Sequence, residues 1–452
     1  MRRQKGGTGR RRLATALAGN VFVPIAGVAS GPVLAHGLGP TSRGELAAAT
    51  VPFLLLTVAG TGGAPEAMTH FVARGGAVAR NLPRLAVVTA ATLGAASAVG
   101  IAGWGLLLMA RMPREGMLVV LSAPLILPVV ATALLRGTAA GLDRWGAVAA
   151  ERAITAGSRI AALVGLASVG ALDLPRAFAV MVGSQVLGAL GYVSLTRAGL
   201  ARAKGGFDRW VPTVSARHFT SYSARIWIGS LTGILLSRLD QLLMTWTTSA
   251  AELGYYTAAV NVGDAAIIVS STVASLLLTS DARSRDNHLL AKTSRLASAF
   301  TLALAVVSGC TAVWWVPRLF GHAFGAAVPA VLWLLSASVL GVAGSIAGAC
   351  LSARGRPGLR SASLLIALIV NGALVVGLTP TYGAAGAAVA TVGGTLVAAG
   401  LNLVCTQRIH QIPVLSMVLP RPVETLAAAW QEFSLVLRKI KAPFISVRRI
   451  PS

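Results

Sequence analysis

Four polar residues stand within two neighbouring apolar stretches of this chain, where a charge is costly. Arg238 and Asp240 lie deep in one stretch, and Asn261 and Asp264 lie in the next. A charge in hydrocarbon costs several kcal/mol unless it meets a partner or faces a water-filled cavity. Residues two apart point about 200° apart around a helix, so Arg238 and Asp240 do not pair with each other. An arginine can bind an anion, and the two carboxylates can bind a proton or a sodium ion.

The spacing brings Arg238 and Asp264 to a similar depth. Counted back from the turn between the two stretches, both lie about 12–14 Å inside at 1.5 Å per residue. Asp240 and Asn261 are also level with each other, and Asn261 shares a helical face with Asp264. Two interpretations stay open. Either Arg238 and Asp264 form an ion pair that holds two helices together, or these groups face a cavity and contact or gate a cargo.

Arg159 and Asn20 are further candidates for a polar site within the membrane. Arg159 shares a helical stripe with Arg152, seven residues earlier, and either faces a cavity or reaches back to the inner headgroups. Asn20 and Pro24 weaken the first apolar helix. Interrupted helices line transporter sites because their freed backbone groups meet polar cargo, and they are also ordinary packing features.

A run of small residues from Gly60 to Glu66, with the sequence GTGGAPE, predicts a second weakened helix. Glu66 and His70 follow at a spacing of four, which places them on one face of a helix. They form either a proton relay, which makes Glu66 a third candidate for ion coupling, or a surface hydrogen bond.

The elements that hold these residues are twelve apolar stretches of membrane-spanning length. About 20 apolar residues cross the hydrocarbon as a helix, because lipid offers the backbone polar groups no other partner. The sequence therefore predicts an all-α polytopic membrane protein of about twelve transmembrane helices. The predicted spans are 14–37, 46–69, 85–110, 116–140, 148–172, 177–197, 222–247, 255–279, 290–316, 326–351, 361–380 and 384–405.

Lys and Arg residues follow the gaps between these spans. With the N-terminus placed inside, 31 of the 39 basic residues fall in the tails and the inner gaps, Arg136 and Arg152 among them. Five fall in the outer gaps, namely Arg43, Arg111, Arg114, Arg176 and Arg318. The positive-inside rule then predicts that both termini are cytoplasmic.

The longest inner gap divides the chain into two halves of six spans each, a plan typical of secondary transporters. Beyond the last span, apolar residues at helical spacing predict an amphipathic helix, which lies either on the inner leaflet or on the loops. Its apolar residues are Leu426, Trp430, Phe433, Leu437 and Ile440. The predicted divisions are a basic tail (1–12), a first six-helix bundle (13–197), a linker (198–220), a second six-helix bundle (221–405) and a basic tail with the amphipathic helix (406–452).

Composition narrows the function classes. The net charge of +25 is spread over all the inner gaps rather than gathered in one domain, which favours anionic membrane lipids over nucleic acid as partner. The three cysteines form no pattern that predicts a disulfide framework or a metal site. The gaps leave no room for an extramembrane enzymatic domain, since none exceeds about 25 residues. We expect neither an enzyme nor a cofactor.

Five short segments, in order along the chain, resemble the polysaccharide-biosynthesis flippases of the multidrug/oligosaccharidyl-lipid/polysaccharide exporter superfamily. The resemblance runs over residues 13–405. One departure is Arg43, where many members carry an aromatic residue. The segments are LGPTSRGELAA (38–48), SRLDQLL (237–243), ELGYYTAAV (252–260), FGHAFGAAVP (320–329) and YGAAGAAVAT (382–391).

The resemblance implies a carrier that moves an undecaprenyl-pyrophosphate-linked oligosaccharide across the bacterial cytoplasmic membrane by alternating access. Its product would serve an exopolysaccharide, a capsule or a related envelope glycan. Such a carrier has the lipid-linked glycan as partner, with a polysaccharide polymerase and glycosyltransferases as further partners. Because sugars and pyrophosphate must cross about 30 Å of hydrocarbon, the cargo needs a polar cavity with cations for its phosphates.

Two alternatives stay open. One is a multidrug exporter of the same superfamily, although cationic drugs favour an acidic, aromatic-lined cavity and only 6% of these residues are aromatic. The other is a scaffold that transports nothing and recruits glycan-assembly enzymes through its basic tail. A scaffold does not need charges within the membrane, so the deep arginine and carboxylates argue against it.

Overall fold

The computed structural model describes residues 5–75, 81–194, 214–265 and 286–418, with side chains from residue 26 onward. The predicted fold class is confirmed, because these residues form helices joined by short turns, with no strand among them. The helices are α1 (Lys5–Thr61), α2 (Ala64–Gly75), α3 (Leu82–Met109), α4 (Pro113–Ser122), α5 (Ile126–Gly141), α6 (Trp145–Ser168), α7 (Leu174–Leu187), α8 (Ala216–Thr247), α9 (250–265), α10 (Asn287–Cys310), α11 (Ala312–Phe320), α12 (Val328–Ala353), α13 (Pro357–His410) and α14 (Val414–Val418).

Seven helical stretches of the described chain are long and apolar enough to cross a membrane. Two of them, Ala26–Arg74 and Pro357–His410, have 49 and 54 residues, which is more than twice the length that one crossing needs. Each bends at a glycine with positive φ, Gly39 at +72° and Gly383 at +53°. These bends lie where the sequence predicts turns between two spans. The count of twelve spans stays a prediction.

Two helices of spanning length, α6 and α8, are outside the group of seven. Both carry charged residues in their middle, among them Arg159 in α6 and Arg238 in α8. These side chains lower the mean hydropathy of a helix that otherwise has the length to cross. A cavity within the bundle supplies the polar surroundings that such residues require.

The predicted interruption near Gly60 is confirmed. α1 ends at Thr61, and Gly62 and Gly63 take positive φ before α2 begins at Ala64. A Cβ atom on Gly63 would collide with the carbonyl oxygen of Ser223 in α8. The interruption therefore lets the backbones of α1, α2 and α8 approach closely, which is a packing role.

Buried apolar side chains form two main clusters. One joins α1 with α3 to α7 through residues such as Phe53, Ile101 and Leu163. The other joins α8, α9 and α11 to α13 through residues such as Tyr256 and Phe324, with a contribution from α1. The predicted domain boundaries stay predictions, because most of the linker and the amphipathic tail lie outside the described residues.

The end of the bundle that holds the bends at Gly39 and Gly383 is called the outer end here, following the charge pattern. At this end the first and second halves of the chain meet closely. A Cβ atom on Gly44 would collide with the carbonyl oxygen of Ala250, and one on Gly254 with the carbonyl oxygen of Pro40. The two glycines thus permit a reciprocal backbone contact that closes the outer end.

An arginine strengthens this closure from the first half of the chain. Arg111 Nη1 donates a hydrogen bond to the carbonyl oxygen of Trp246 at 2.8 Å, in the last turn of α8. Its guanidinium also lies 5.9 Å from the centroid of the Trp246 ring. A cation at the C-terminal end of a helix meets unpaired carbonyl groups and the negative end of the helix dipole.

Candidate functional site

A cavity of about 760 Å³ lies between the first half of the chain and helices α8 and α9. Its wall is formed by residues of α1, α5, α6, α7, α8 and α9. Among the described residues, two carboxylates, Glu151 and Asp264, line it together with five arginines, which gives this described wall a formal net charge of +3. The arginines are Arg43, Arg136, Arg152, Arg159 and Arg238. We call it the cationic cavity.

The helices place these arginines at different depths. Arg43 lies four residues beyond the bend at Gly39, about 6 Å along the helix from the outer turn, and Arg238 lies about 14 Å before the end of α8. Arg152 and Arg159 lie about 10 and 21 Å along α6 from its inner end. Positive charge therefore lines the cavity over much of the membrane thickness.

Arg136 of α5 is held by a buried carboxylate. Its Nε and Nη2 donate hydrogen bonds to Glu151 Oε2 and Oε1 at 3.1 and 2.8 Å. Tyr192 donates a third hydrogen bond to Glu151 at 3.4 Å. The Glu151 side chain is only 4% exposed and the Arg136 side chain is 40% exposed. This bidentate pair fixes the guanidinium in one orientation at the cavity wall.

Arg238 and Asp264 form the second ion pair of the cavity. Arg238 Nη2 donates to Asp264 Oδ2 at 2.8 Å, a single hydrogen bond. The Asp264 side chain is 40% exposed, so this pair borders the open space of the cavity. The residues therefore form the ion pair and also border a cavity, and their contact with a cargo stays a prediction.

Several polar atoms at the cavity wall have no hydrogen-bond partner among the described residues. They include three N–H donors, namely Arg43 Nε, Arg159 Nε and Asn261 Nδ2. Arg43 is 8% exposed, and the positive charges of Arg43 and Arg238 act on each other. A buried donor without an acceptor is costly, and the cost falls when an anionic ligand supplies the acceptor. The described wall thus combines an excess of positive charge with donors that lack an acceptor.

A smaller cavity of about 290 Å³ lies within the second half of the chain, between α8, α9, α12 and α13. Asp240 lines it and accepts hydrogen bonds from the hydroxyl group of Tyr256 and from the backbone N–H of Gln241. Tyr256 also bonds Thr391 at 2.9 Å. Asn371 Oδ1 is buried without a partner among the described residues. We call this space the acidic cavity, because two carboxylates, Asp240 and Asp264, line its described wall beside one arginine, Arg360.

The structure sorts the predicted site residues between these cavities. Arg238, Asp264, Asn261 and Arg159 line the cationic cavity, and Asp240 and Asp264 line the acidic cavity. Asp240 and Asn261 are therefore assigned to different cavities. The side chain of Asn20 is outside the described part of the chain.

The third predicted coupling residue lies elsewhere. Glu66 is exposed and lines neither cavity. His70 is 4.2 Å from Tyr222 between ring centroids, in a stacked arrangement that joins α2 to α8.

Three cavity arginines were assigned wrongly from the sequence. Arg43 was counted in an outer gap, and Arg136 and Arg152 were counted in an inner gap, although all three lie within helices and turn into the cavity. Glu151 was missed as well. Its place one residue before Arg152 in an apolar helix was an available signal, because a carboxylate there requires a partner.

A family model described as polysaccharide biosynthesis protein matches residues 166–329. This segment runs from the end of α6 to the start of α12 and contains both Arg238 and Asp264. In a direct sequence comparison, no curated protein matches the chain.

Solved structures match over almost the whole chain. The lipid II flippase MurJ in an inward closed conformation is 12% identical, with a TM-score of 0.68, over 94% of this chain and 92% of that one. An inward-facing multidrug resistance MATE family transporter is 15% identical, with a TM-score of 0.60, over 89% and 98%. A transporter from Pyrococcus furiosus, described as having a binding pocket of reverse polarity, is 14% identical, with a TM-score of 0.52, over 88% and 94%.

The fold therefore defines the chain as a multi-pass membrane protein with the architecture of the MOP-superfamily transporters. Within that class, the family match supports the resemblance to polysaccharide-biosynthesis proteins over residues 166–329. The similar proteins of known structure are transporters.

Proposed function

We propose that this protein is a flippase that moves an isoprenoid-diphosphate-linked oligosaccharide, of the undecaprenyl type, across the bacterial cytoplasmic membrane by alternating access. The glycan would serve an exopolysaccharide, a capsule or a related envelope polymer. The observation that carries the proposal is the composition of the cationic cavity, in which five arginines face two carboxylates.

The charge balance matches the chemistry of this cargo. A diphosphate diester carries two negative charges, and its oxygens accept hydrogen bonds from guanidinium groups. The unpaired N–H donors of Arg43 and Arg159 provide such bonds, and Asn261 adds a neutral donor. The isoprenoid tail can remain in the lipid during transport, while the charged and sugar parts need a polar route through the protein.

The same charge balance argues against a multidrug exporter of cationic compounds. Such a cargo requires an excess of carboxylates, whereas the cationic cavity has a net charge of +3 from its arginines, Glu151 and Asp264. None of the described residues that line the cationic cavity is aromatic, so among them a planar cation would find no stacking partner.

We assign ion coupling to Asp240 and Asp264 in the acidic cavity. Asp240, Asn371 and Thr391, whose side chains all carry oxygen atoms, line this space together with Asp264. Oxygen ligands suit a hard cation such as sodium. Glu66, which is exposed and lines neither cavity, is a weaker candidate for this role.

We also propose the orientation of this protein in the membrane and its partners. Both termini would be cytoplasmic, with basic loops and the basic tail on anionic lipid headgroups. The carrier would receive its cargo from glycosyltransferases at the inner leaflet and deliver it to a polysaccharide polymerase at the outer leaflet.

The test is a gene deletion in the native host, complemented with the wild type, with Arg159→Ala or with Arg318→Ala. Arg318 is an exposed arginine that stacks on Trp314 at 4.2 Å and lines neither cavity, so it is the matched control. We expect the deletion and Arg159→Ala to accumulate lipid-linked glycan on the cytoplasmic leaflet and to lose surface glycan. Arg318→Ala should restore both.

Two outcomes would contradict this proposal. Unchanged surface glycan together with lost drug efflux would favour the exporter. Normal flipping with a dispersed assembly of glycan enzymes would favour the scaffold.

A further inference from the structure

Asp264 belongs to the walls of both cavities. It lines the cationic cavity beside Arg238 and the acidic cavity beside Asp240, and Val260, one turn earlier in α9, also borders both. With 40% of its side chain exposed, Asp264 is not packed in place on all sides. Its carboxylate therefore stands at the boundary between a space suited to an anion and a space suited to a cation.

Asp264 is paired with Arg238, a residue that the diphosphate of the cargo would also bind. Arg238 is bound to Asp264 through one hydrogen bond, although a guanidinium can donate two parallel bonds to a single oxyanion. The Arg136–Glu151 pair in the same cavity uses two donors of its guanidinium group, and Glu151 is more deeply buried than Asp264. Of the two ion pairs, Arg238–Asp264 is the one that a diphosphate would displace.

A displaced Asp264 carboxylate would add charge to the acidic cavity. The negative charges of Asp240 and Asp264 already act on each other. While Arg238 neutralises Asp264, that repulsion is compensated. Once the anion occupies Arg238, two carboxylates and one arginine, Arg360, line the described wall of the acidic cavity, which leaves it a net negative charge. A cation is then favoured there by charge as well as by its oxygen ligands.

We propose, building on the proposed function, that Asp264 exchanges partners and thereby couples the two cavities. Binding of the diphosphate at Arg238 releases Asp264, which joins Asp240 as a ligand of a cation in the acidic cavity. Because coupling between two binding sites is reciprocal, the cation raises the affinity for the diphosphate by the same factor. Asp264 is thus a residue that makes loading of the anion and the cation a joint event.

The test uses the full chain in lipid nanodiscs, with farnesyl diphosphate as the anionic probe and sodium as the cation. Calorimetry measures the dissociation constant of farnesyl diphosphate in sodium chloride and in choline chloride, with farnesol as the control ligand. For the wild type we expect sodium to tighten binding by about 5-fold or more, the lower end of ordinary coupling.

Substitutions of Asp264 test whether the effect of sodium depends on the exchange of its partners. Asp264→Asn should bind farnesyl diphosphate more tightly than the wild type in choline, because the competing carboxylate is gone, and should show no effect of sodium. Asp264→Glu keeps a carboxylate and should retain part of the sodium effect, which separates exchange from a loss of folding. Asp173→Asn changes an exposed carboxylate outside both cavities and should behave as the wild type.

Different results would contradict the coupling by Asp264 and the proposed function. If sodium still tightens binding in Asp264→Asn, or has no effect in the wild type, Asp264 does not couple the cavities although the cargo binds. If farnesyl diphosphate binds to none of these proteins, the proposed function itself fails, and the exchange fails with it.

Discussion

Loss of Glu151 should destabilise the protein much more than loss of Asp264, although each carboxylate pairs with one arginine. Glu151→Ala removes both acceptors of Arg136 and leaves the guanidinium with only partial access to the water of the cavity. Breaking a buried pair costs about 3–5 kcal/mol, and the 40% exposure of Arg136 reduces this to about 2–3 kcal/mol. Asp264→Ala breaks a single hydrogen bond, and the 24% exposed Arg238 that it leaves behind still meets the water of the cavity and the negative charge of Asp240, so we expect a cost of about 1 kcal/mol.

The assay is the free energy of unfolding from a titration with sodium dodecyl sulfate in mixed micelles, followed by tryptophan fluorescence. A double-mutant cycle with Arg136→Ala separates the pair from other effects of each substitution. The coupling between Glu151 and Arg136 should make up most of the loss. A cost below 1 kcal/mol for Glu151→Ala, or one no larger than that of Asp264→Ala, would refute the assignment of one structural pair and one exchangeable pair.

Three further outcomes are expected. Arg238→Ala should fold with normal yield yet lose transport of lipid-linked glycan, because an anion site in the cavity is lost. Arg238→Lys keeps the charge without the bidentate fork and should retain part of the transport. Full transport in Arg238→Ala would remove this residue from the site. Gly254→Val should prevent closure of the outer end, because its side chain meets the carbonyl group of the opposing turn. In a cysteine-free background, Ser30→Cys in the cavity wall should then react faster with an impermeant maleimide added outside, and an unchanged rate would contradict the closure. A reporter fused after Ser284 should report the cytoplasm and one after Ala250 the outside, and inversion at both would overturn the topology.

Hydropathy predicted the helices well, because membrane-spanning length is a strong constraint on sequence. The bends at Gly39 and Gly383 fall where turns were predicted, and the interruption near Gly60 appears at Gly62 and Gly63. The equal depth of Arg238 and Asp264 predicted their pairing as one of two interpretations, and the structure shows the pair.

The identity of the other cavity residues did not follow from the sequence. Arg43, Arg136 and Arg152 stand near the ends of predicted spans, where an arginine at an interface and an arginine turned into a cavity have the same local pattern. The direction in which each of these side chains points depends on the rotation of its helix and on how the two halves of the chain pack together. The separation of Asp240 from Asn261 likewise depends on which side of the α8–α9 pair each residue faces.

Reconstituted flipping tests the central claim most directly. Purified protein in liposomes is given a fluorescent short-chain polyprenyl diphosphate oligosaccharide, and dithionite added outside reports the fraction of probe that reaches the outer leaflet. The wild type and Arg318→Ala should exchange the probe between leaflets, and Arg159→Ala should be slower by at least 10-fold, about 1.4 kcal/mol on the barrier. Exchange by the wild type no faster than in protein-free liposomes, or equal rates for Arg159→Ala and the wild type, would contradict a cavity built to carry a lipid-linked diphosphate.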